Sequence, residues 1–204
     1  MPSKGIELVK RTNVIWIFGD QNPAHMLSCN GDPNIHTPNI DSLAHNGVNF
    51  CKAVAGFPLC CPFRGSLLTS RYPHDCVPGH EFQMDPNLPT IADVFNENGY
   101  HTAYFGKWHV DGFHESDGRA AFHIVPPNRR GRFQTWVGYE NNNVQYDSWV
   151  HGGEGDTAFH YQLPGYETDE LTSLVIKHLE EQHRTNPNQP FFTILSVQPP
   201  HNPY

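Results

Sequence analysis

The stretch FPLCCPFRGSLLTSRYPH, residues 57–74, combines a nucleophile, a cation and a predicted helix start. Cys60 and Cys61 are adjacent, Pro62 follows at once, and Arg64 comes two residues later. We predict a helix beginning near Pro62, because proline suits the first helical turn, where its missing N–H is not needed. The start of a helix also offers free backbone N–H groups and a positive dipole end to an anion. The start of this helix therefore favours binding of an anion beside the two cysteines, although free cysteines by themselves are most often inert, buried thiols.

Other polar residues with chemical potential stand at the predicted ends of buried strands. NVIWIFGD, residues 13–20, is a continuous apolar run, typical of a strand buried on both faces, and it ends at Asp20. Lys107 and His109 follow a second predicted strand, HTAYFG, and His201 follows a third in PFFTILSVQPPH. In open parallel sheets, ligands bind outside the carboxyl ends of the strands. We therefore expect these four side chains to share one pocket.

Predicted helices alternate with these strands. Thr37 and Pro38 open a short helix that Gly47 closes, and Thr90 caps another that runs through Asn98. ETDELTSLVIKHLEEQHRT has apolar residues at mostly helical spacing. The alternation predicts an α/β fold in which helices sandwich a mostly parallel mixed sheet.

Two further segments complete this description of residues 1–204, which we treat as one domain or part of a larger one. A strand is predicted from Val48 to about Val54. Residues 111–165 are polar and rich in glycine, asparagine and aromatic residues, without clear periodicity. We predict that they form an irregular insertion over one edge of the domain.

The composition limits the function classes. A net charge of −8 and a pI near 5.9 argue against a general nucleic-acid binder, which needs clustered Lys and Arg. The amino terminus predicts no signal peptide and no membrane span, so we expect a cytoplasmic location. The 5 cysteines form no CxxC pair, which argues against a zinc site or a full disulfide framework and favours reduced thiols.

Taken together, these segments resemble the sulfatase family of the alkaline phosphatase superfamily. Residues 60–70, CCPFRGSLLTS, resemble its signature of cysteine, any residue, proline, a small residue and arginine, which ends in Thr-Gly. Four more segments match the family in order: NVIWIFGDQ, TPNIDSLAHNGVNF, GYHTAYFGKWH and QPPHNPY. The resemblance implies an alkaline-phosphatase-like fold that is incomplete at its carboxyl end. The later half of related enzymes carries another metal-binding Asp, with Asn or His, and a second lysine.

The resemblance implies that Cys60 is oxidised to formylglycine by the formylglycine-generating enzyme. This aldehyde hydrates to a geminal diol. One hydroxyl attacks the sulfur of a sulfate ester, and the other, once deprotonated, expels sulfate as the aldehyde forms again. By the same resemblance, Arg64 holds the diol and Lys107 binds a sulfate oxygen. His109 takes the proton from the second hydroxyl, and His201 helps to bind or protonate the leaving group.

The resemblance also implies a divalent cation held by Asp20, Gln21 and the modified Cys60. Oxygen ligands of this kind suit Ca²⁺ first, with Mg²⁺ or Mn²⁺ as further candidates. The sequence departs from the family in three places. Many sulfatases have a second aspartate at the position of Gln21, Phe63 replaces a small residue, and Ser70 replaces a glycine.

These departures keep several hypotheses open. The leading one is hydrolysis of a small-molecule or glycan sulfate ester, with no turnover by this chain alone. The Asp-Gln pair is similar to that of phosphonate monoester hydrolases, so hydrolysis of a phosphonate or phosphate ester is the alternative within the same superfamily. A non-catalytic binding module with a degenerate site is the alternative from another class. In that case Cys60 is an inert thiol and Asp20 only ends a strand.

Overall fold

The structure, a computed structural model, describes residues 11–202. Its strands are β1 (Val14–Gly19), β2 (His101–Lys107), β3 (Thr135–Tyr139), β4 (Trp149–Gly152), β5 (Phe159–Gln162) and β6 (Phe191–Val197). Its α-helices are α1 (Pro38–Asn46), α2 (Cys60–Thr69), α3 (Pro73–Cys76), α4 (Ile91–Glu97) and α5 (Glu167–Thr185). The helix predicted near Pro62 thus begins at Cys60 itself.

The strands form one mixed sheet in the order β1-β6-β2-β3-β4-β5. The pairs β1–β6, β6–β2 and β2–β3 are parallel, whereas β4 and β5 add antiparallel at one edge. The predicted mostly parallel mixed sheet is therefore confirmed. Because β1, β6 and β2 run in the same direction, their carboxyl ends meet at one edge of the sheet.

Helices cover both faces of this sheet. Residues alternate between the faces along each strand, so Tyr104 and Ile194 pack in one core cluster, with side chains from α2 and α4. Phe105 and Leu195 pack in the other cluster, against Leu171 of α5. The two clusters fix the strands relative to α2 and α5, and this arrangement confirms the predicted sandwich.

Two predictions about buried strands were wrong for the described residues. Residues 48–54 form turns and irregular backbone, and Val48, Phe50 and Val54 are exposed. Ile15 and Ile17 of β1 are exposed as well, so β1 is not buried on both faces. Residues 48–54 pair with no strand among the described residues. β1 pairs with β6 but is the edge strand of the described sheet, and Val14, Trp16 and Phe18 pack on the core while Ile15 and Ile17 face away from it.

The prediction of an irregular insertion at residues 111–165 was wrong for its second half. This region contains β3, β4 and β5, which extend the sheet beyond β2. The three strands have only 5, 4 and 4 residues, which is too short for a clear alternating pattern. The first half does consist of loops and 3₁₀ turns.

Other sequence expectations concern the ends of the chain and the cysteines. No helix in residues 11–202 is long and apolar enough to cross a membrane. The prediction of no signal peptide depends partly on residues 1–10, which lie outside the described residues. All five cysteines are free, as expected.

Buried His151 predicts a pH-dependent contribution to stability. It is 1% exposed, and burial, with the charge of Arg130, lowers its pKa from 6.5 to about 3. Between these two values the unfolded chain binds a proton that the folded chain does not. Because of this residue, the free energy of unfolding therefore falls by ~1.4 kcal/mol for each pH unit below 6.5.

We expect His151→Gln to remove this dependence. The variant is less stable at pH 7, because the Val125 N–H donates to His151 Nε2 over 2.9 Å. The stability difference from the unsubstituted chain should then shrink by ~2 kcal/mol at pH 5, as measured by urea unfolding. Ile194→Val is the control, because Ile194 is buried and has no titrating group. The stability difference between this variant and the unsubstituted chain should stay constant with pH. Parallel pH curves for His151→Gln and the unsubstituted chain would contradict the assignment.

Candidate active site

The expected side chains converge at the carboxyl edge of β1, β6 and β2. Asp20 directly follows β1, Lys107 ends β2, and Cys60 begins α2 at the same edge. The Cys60 Sγ lies 3.2 Å and 3.4 Å from the two carboxylate oxygens of Asp20. The Lys107 Nζ lies 2.5 Å, and an Arg64 guanidinium nitrogen 3.5 Å, from Asp20 Oδ2. Residues from distant parts of the sequence thus form one charged cluster.

Asp20 is the only carboxylate that the described residues place between these two cations. All three side chains are buried, with exposed fractions of 7% for Asp20, 2% for Arg64 and 0% for Lys107. Burial raises the pKa of Asp20, but Arg64 and Lys107 outweigh burial and hold the pKa well below its usual range. Asp20 is therefore ionised at neutral pH.

Arg64 is fixed by hydrogen bonds as well as by charge. It donates to the Lys107 carbonyl over 2.6 Å, to Ser196 Oγ over 2.8 Å and to the Tyr104 hydroxyl over 3.4 Å. These acceptors lie on β2 and β6, so the guanidinium joins α2 to the sheet. Its orientation is set before any ligand arrives.

Cys60 stands at the first position of α2, where backbone N–H groups are free to bind an anion. Burial raises the pKa of its thiol, and the nearby charge of Asp20 raises it further, against the opposing effect of Lys107. The unmodified side chain is therefore a neutral thiol at physiological pH. A thiol is a much weaker nucleophile than a thiolate.

His109 lies in the same region but contacts a different set of groups. It is 2% exposed, and neither ring nitrogen has a hydrogen-bond partner among the described residues. Burial lowers its pKa well below 6.5, and Lys107 and Arg64 lower it further. Its φ of 54° is in the left-handed region, which costs energy for a residue with a side chain. The ring is therefore a neutral imidazole, able to accept a proton.

His201 and Gln21 lie in the wall of a cleft of about 870 Å³ that opens above Cys60. Phe18, Leu59 and Phe63 also line this cleft. Ligand atoms of Asp20, Cys60 and His201 all lie within 4.8 Å of one another. The Gln21 side chain is exposed, and its backbone φ of 56° is left-handed. Of the two predicted metal ligands after β1, the structure thus puts Asp20 within the charged cluster and Gln21 at its rim.

The donor set fits a divalent cation only in part. The Asp20 carboxylate and an oxygen on residue 60 suit Ca²⁺ or Mg²⁺, which prefer oxygen ligands. However, one carboxylate against Lys107 and Arg64 leaves this cluster with a net charge of +1. A hard cation at this place needs additional acidic ligands.

Sequence reasoning missed three residues that contribute to this region. Ser196 and Tyr104 lie within strands and orient Arg64 through hydrogen bonds. In the sequence, only their alternation with apolar residues distinguishes them, and this alternation predicts a strand rather than a contact with Arg64. His80 lies on an irregular loop, and its ring centroid is 5.4 Å from that of His109. No sequence pattern marks His80, because only the folding of the loop brings it near.

The fold agrees with comparisons to known proteins. The sequence model of the family described as Sulfatase matches residues 12–204. An ulvan-active sulfatase of Formosa agariphila is 33% identical over 198 residues, covering 95% of this chain and 36% of that protein. An endo-4-O-sulfatase of Bacteroides thetaiotaomicron is 30% identical over 237 residues, covering 100% of this chain and 45% of that protein. The chain belongs to the sulfatase family.

Solved structures show the same relationship. The crystal structure of yidJ from Bacteroides fragilis superimposes with a TM-score of 0.83 at 26% identity, covering 98% of this chain and 46% of that one. The structure of BT4656, in complex with its substrate D-glucosamine-2-N,6-O-disulfate, superimposes with a TM-score of 0.77 at 26% identity. This match covers 95% of this chain and 35% of that one. This chain therefore spans less than half the length of these proteins.

Removing the Asp20 charge should destabilise the chain strongly. We expect Asp20→Asn to lower the free energy of unfolding by about 3 kcal/mol, because Lys107 and Arg64 are then buried side by side without a counter-charge. Glu181→Gln is the matched control, since Glu181 forms an exposed ion pair with Arg184 over 2.6 Å. It should cost less than about 0.5 kcal/mol. Equal costs in urea unfolding would show that Asp20 does not neutralise the buried cations.

Proposed function

We propose that this chain provides the nucleophile and the sulfate-binding groups of a sulfatase that hydrolyses sulfate monoesters through a formylglycine made from Cys60. The observation that carries the proposal is the position of the Cys60 Sγ, 3.2 Å from Asp20 at the start of α2. Lys107 and Arg64 flank the same carboxylate. A nucleophile, anion-binding groups and a candidate metal ligand are therefore within reach of one reacting atom.

The protonation state of Cys60 supports a need for the modification. Its raised pKa keeps the thiol neutral, so the unmodified side chain is a weak nucleophile. Formylglycine supplies a geminal diol, in which one hydroxyl attacks sulfur and the other allows sulfate to be expelled. The Asp20 oxygens at 3.2 Å and 3.4 Å from Sγ are acceptors for hydroxyl groups at that position.

The surrounding side chains have the charges that the reaction needs. Lys107 and Arg64 stabilise the negative sulfate oxygens, in a buried setting where such interactions are strong. His109 is kept neutral by burial and by those same cations, so it accepts the proton of the hydroxyl that expels sulfate. His201, at the cleft wall, binds or protonates the leaving alcohol.

Asp20 would hold a divalent cation together with an oxygen of the modified residue 60, with Gln21 as a further oxygen ligand. Ca²⁺ is the first candidate and Mg²⁺ or Mn²⁺ the next. The cation would supply positive charge that draws electrons from a sulfate oxygen. The net charge of +1 in the cluster implies that further acidic ligands come from residues beyond those described here.

The alcohol part of the substrate is proposed from the relatives. Two of them are named as an ulvan-active sulfatase and an endo-4-O-sulfatase, and one solved relative holds a disulfated glucosamine. We propose a sulfated glycan as the substrate. A cleft of about 870 Å³ has room for at least one sugar beside Cys60.

Mass spectrometry of the peptide containing Cys60 tests the nucleophile directly. In a host with the formylglycine-generating enzyme, we expect this peptide to be about 18 Da lighter than its thiol form, as an aldehyde requires. Cys60→Ser should abolish both the mass change and sulfate release by the full gene product. Cys51→Ser is the control, because Cys51 is exposed and lies outside the cleft. An unmodified Cys60 peptide from such a host would favour the non-catalytic binding module.

A comparison of two substrates distinguishes sulfate ester hydrolysis from phosphonate ester hydrolysis. The full gene product should hydrolyse an aryl sulfate faster than the matching aryl phosphonate. The reverse preference would favour the phosphonate hydrolase that Gln21 suggests.

The 204-residue chain alone should bind Ca²⁺ weakly and release no measurable sulfate. The physical reason is the single carboxylate of the cluster, whose charge Lys107 and Arg64 more than cancel. Calorimetric titration of the chain should show no saturable binding below about 1 mM Ca²⁺. Tight binding or turnover by this polypeptide would show that the described residues already form a complete metal site.

A further inference from the structure

A second group of ligand-type side chains lies next to the proposed active site. Ligand atoms of Cys61, His80 and His109 all lie within 4.8 Å of one another. None of these atoms belongs to the group formed by Asp20, Cys60 and His201. Cys61 and Cys60 are neighbours on α2, but their side chains join different clusters.

The distances suit a tetrahedral metal ion. The Cys61 Sγ is 3.7 Å from His80 Nδ1. Zinc bonds of ~2.3 Å to sulfur and ~2.0 Å to nitrogen, at tetrahedral angles, put these two ligand atoms ~3.5 Å apart. His80 is on an exposed loop, and its ring centroid lies 5.4 Å from that of His109.

The buried His109 ring of this cluster has no hydrogen-bond partner among the described residues. Both ring nitrogens of His109 are buried without a hydrogen bond among the described residues, although such groups normally have one. His109 also has a left-handed φ of 54°, a strained conformation that is often found at functional sites. A bound ion would satisfy one of these nitrogens.

A backbone group also contacts the buried thiol of this cluster. The Glu81 backbone N–H donates to Cys61 Sγ over 3.3 Å, and because burial raises the pKa of this thiol to about 11, metal binding would displace its proton. A Glu81 carboxylate oxygen lies 3.9 Å from Nε2, the other ring nitrogen of His80.

We propose that Cys61, His80 and His109 bind a divalent transition-metal ion that prefers sulfur and nitrogen ligands, with Zn²⁺ as the main candidate. This differs from the expectation, based on the missing CxxC pair, that the chain has no zinc site. The three ligands come from three separate segments, which a search for short spacings does not detect. The site is also chemically distinct from the oxygen-rich site proposed at Asp20.

The site predicts inhibition by zinc, and this consequence rests on the proposed function. A metal ion that occupies a His109 nitrogen leaves that nitrogen unable to accept a proton. The test of metal binding itself needs no catalysis, so it can fail or succeed independently of the sulfatase proposal.

Co²⁺ is a spectroscopic probe for the site, used on the 204-residue chain with Cys60→Ser as the parent. The Cys60→Ser substitution removes the thiol that contacts Asp20, so that this thiol cannot bind Co²⁺. We expect one Co²⁺ per chain, a thiolate-to-cobalt charge-transfer band, and displacement of that band by Zn²⁺. Adding Cys61→Ser should abolish the band, and adding His80→Ala should weaken binding at least ~10-fold.

Two matched variants complete the test. Cys76→Ser removes another buried thiol outside the cluster, and His74→Ala removes another exposed histidine; both should leave the band and the affinity unchanged. Thermal unfolding checks that each variant is folded, and Zn²⁺ should raise the Tm of the parent but not of the Cys61→Ser variant. A parent without the band, or a band that persists in Cys61→Ser, would overturn the proposal.

Discussion

The ion cluster of Asp20, Lys107 and Arg64 is the interaction on which the rest of this structure depends. It connects β1, β2 and α2, and all three charges are buried. Burying a charge without a partner costs several kcal/mol, so each member requires the others. The cluster therefore fixes where α2 begins relative to the sheet, and with it the position of Cys60.

The net charge of +1 in this cluster affects the protonation states of its neighbours and the ligands that it favours. It keeps Asp20 ionised and contributes to keeping His109 neutral. The same positive charge opposes a divalent cation, although Asp20 is a suitable ligand for one. The charges within residues 11–202 therefore favour an anion at the proposed site, whereas a stable metal site requires more carboxylates than this cluster contains.

The adjacent cysteines of α2 have separate environments because of helix geometry. Successive residues point about 100° apart around a helix, so Cys60 faces Asp20 and the cleft, whereas Cys61 packs inward beside His80. Cys61 is fully buried, and burial raises its pKa to about 11. In our proposals, one short motif thereby contributes to two sites, one with oxygen donors and one with sulfur and nitrogen donors.

The sequence by itself determined the α/β class, the helix at the cysteine motif and the strand ends that carry Asp20, Lys107 and His201. These features are local: apolar runs, caps and the residues that follow them, and parallel strands bring such ends together. Only the tertiary structure decided that residues 135–162 extend the sheet, that residues 48–54 form no strand, and that His80 lies beside His109. Short strands and loops have too little local pattern, and their conformation depends on partners distant in the chain.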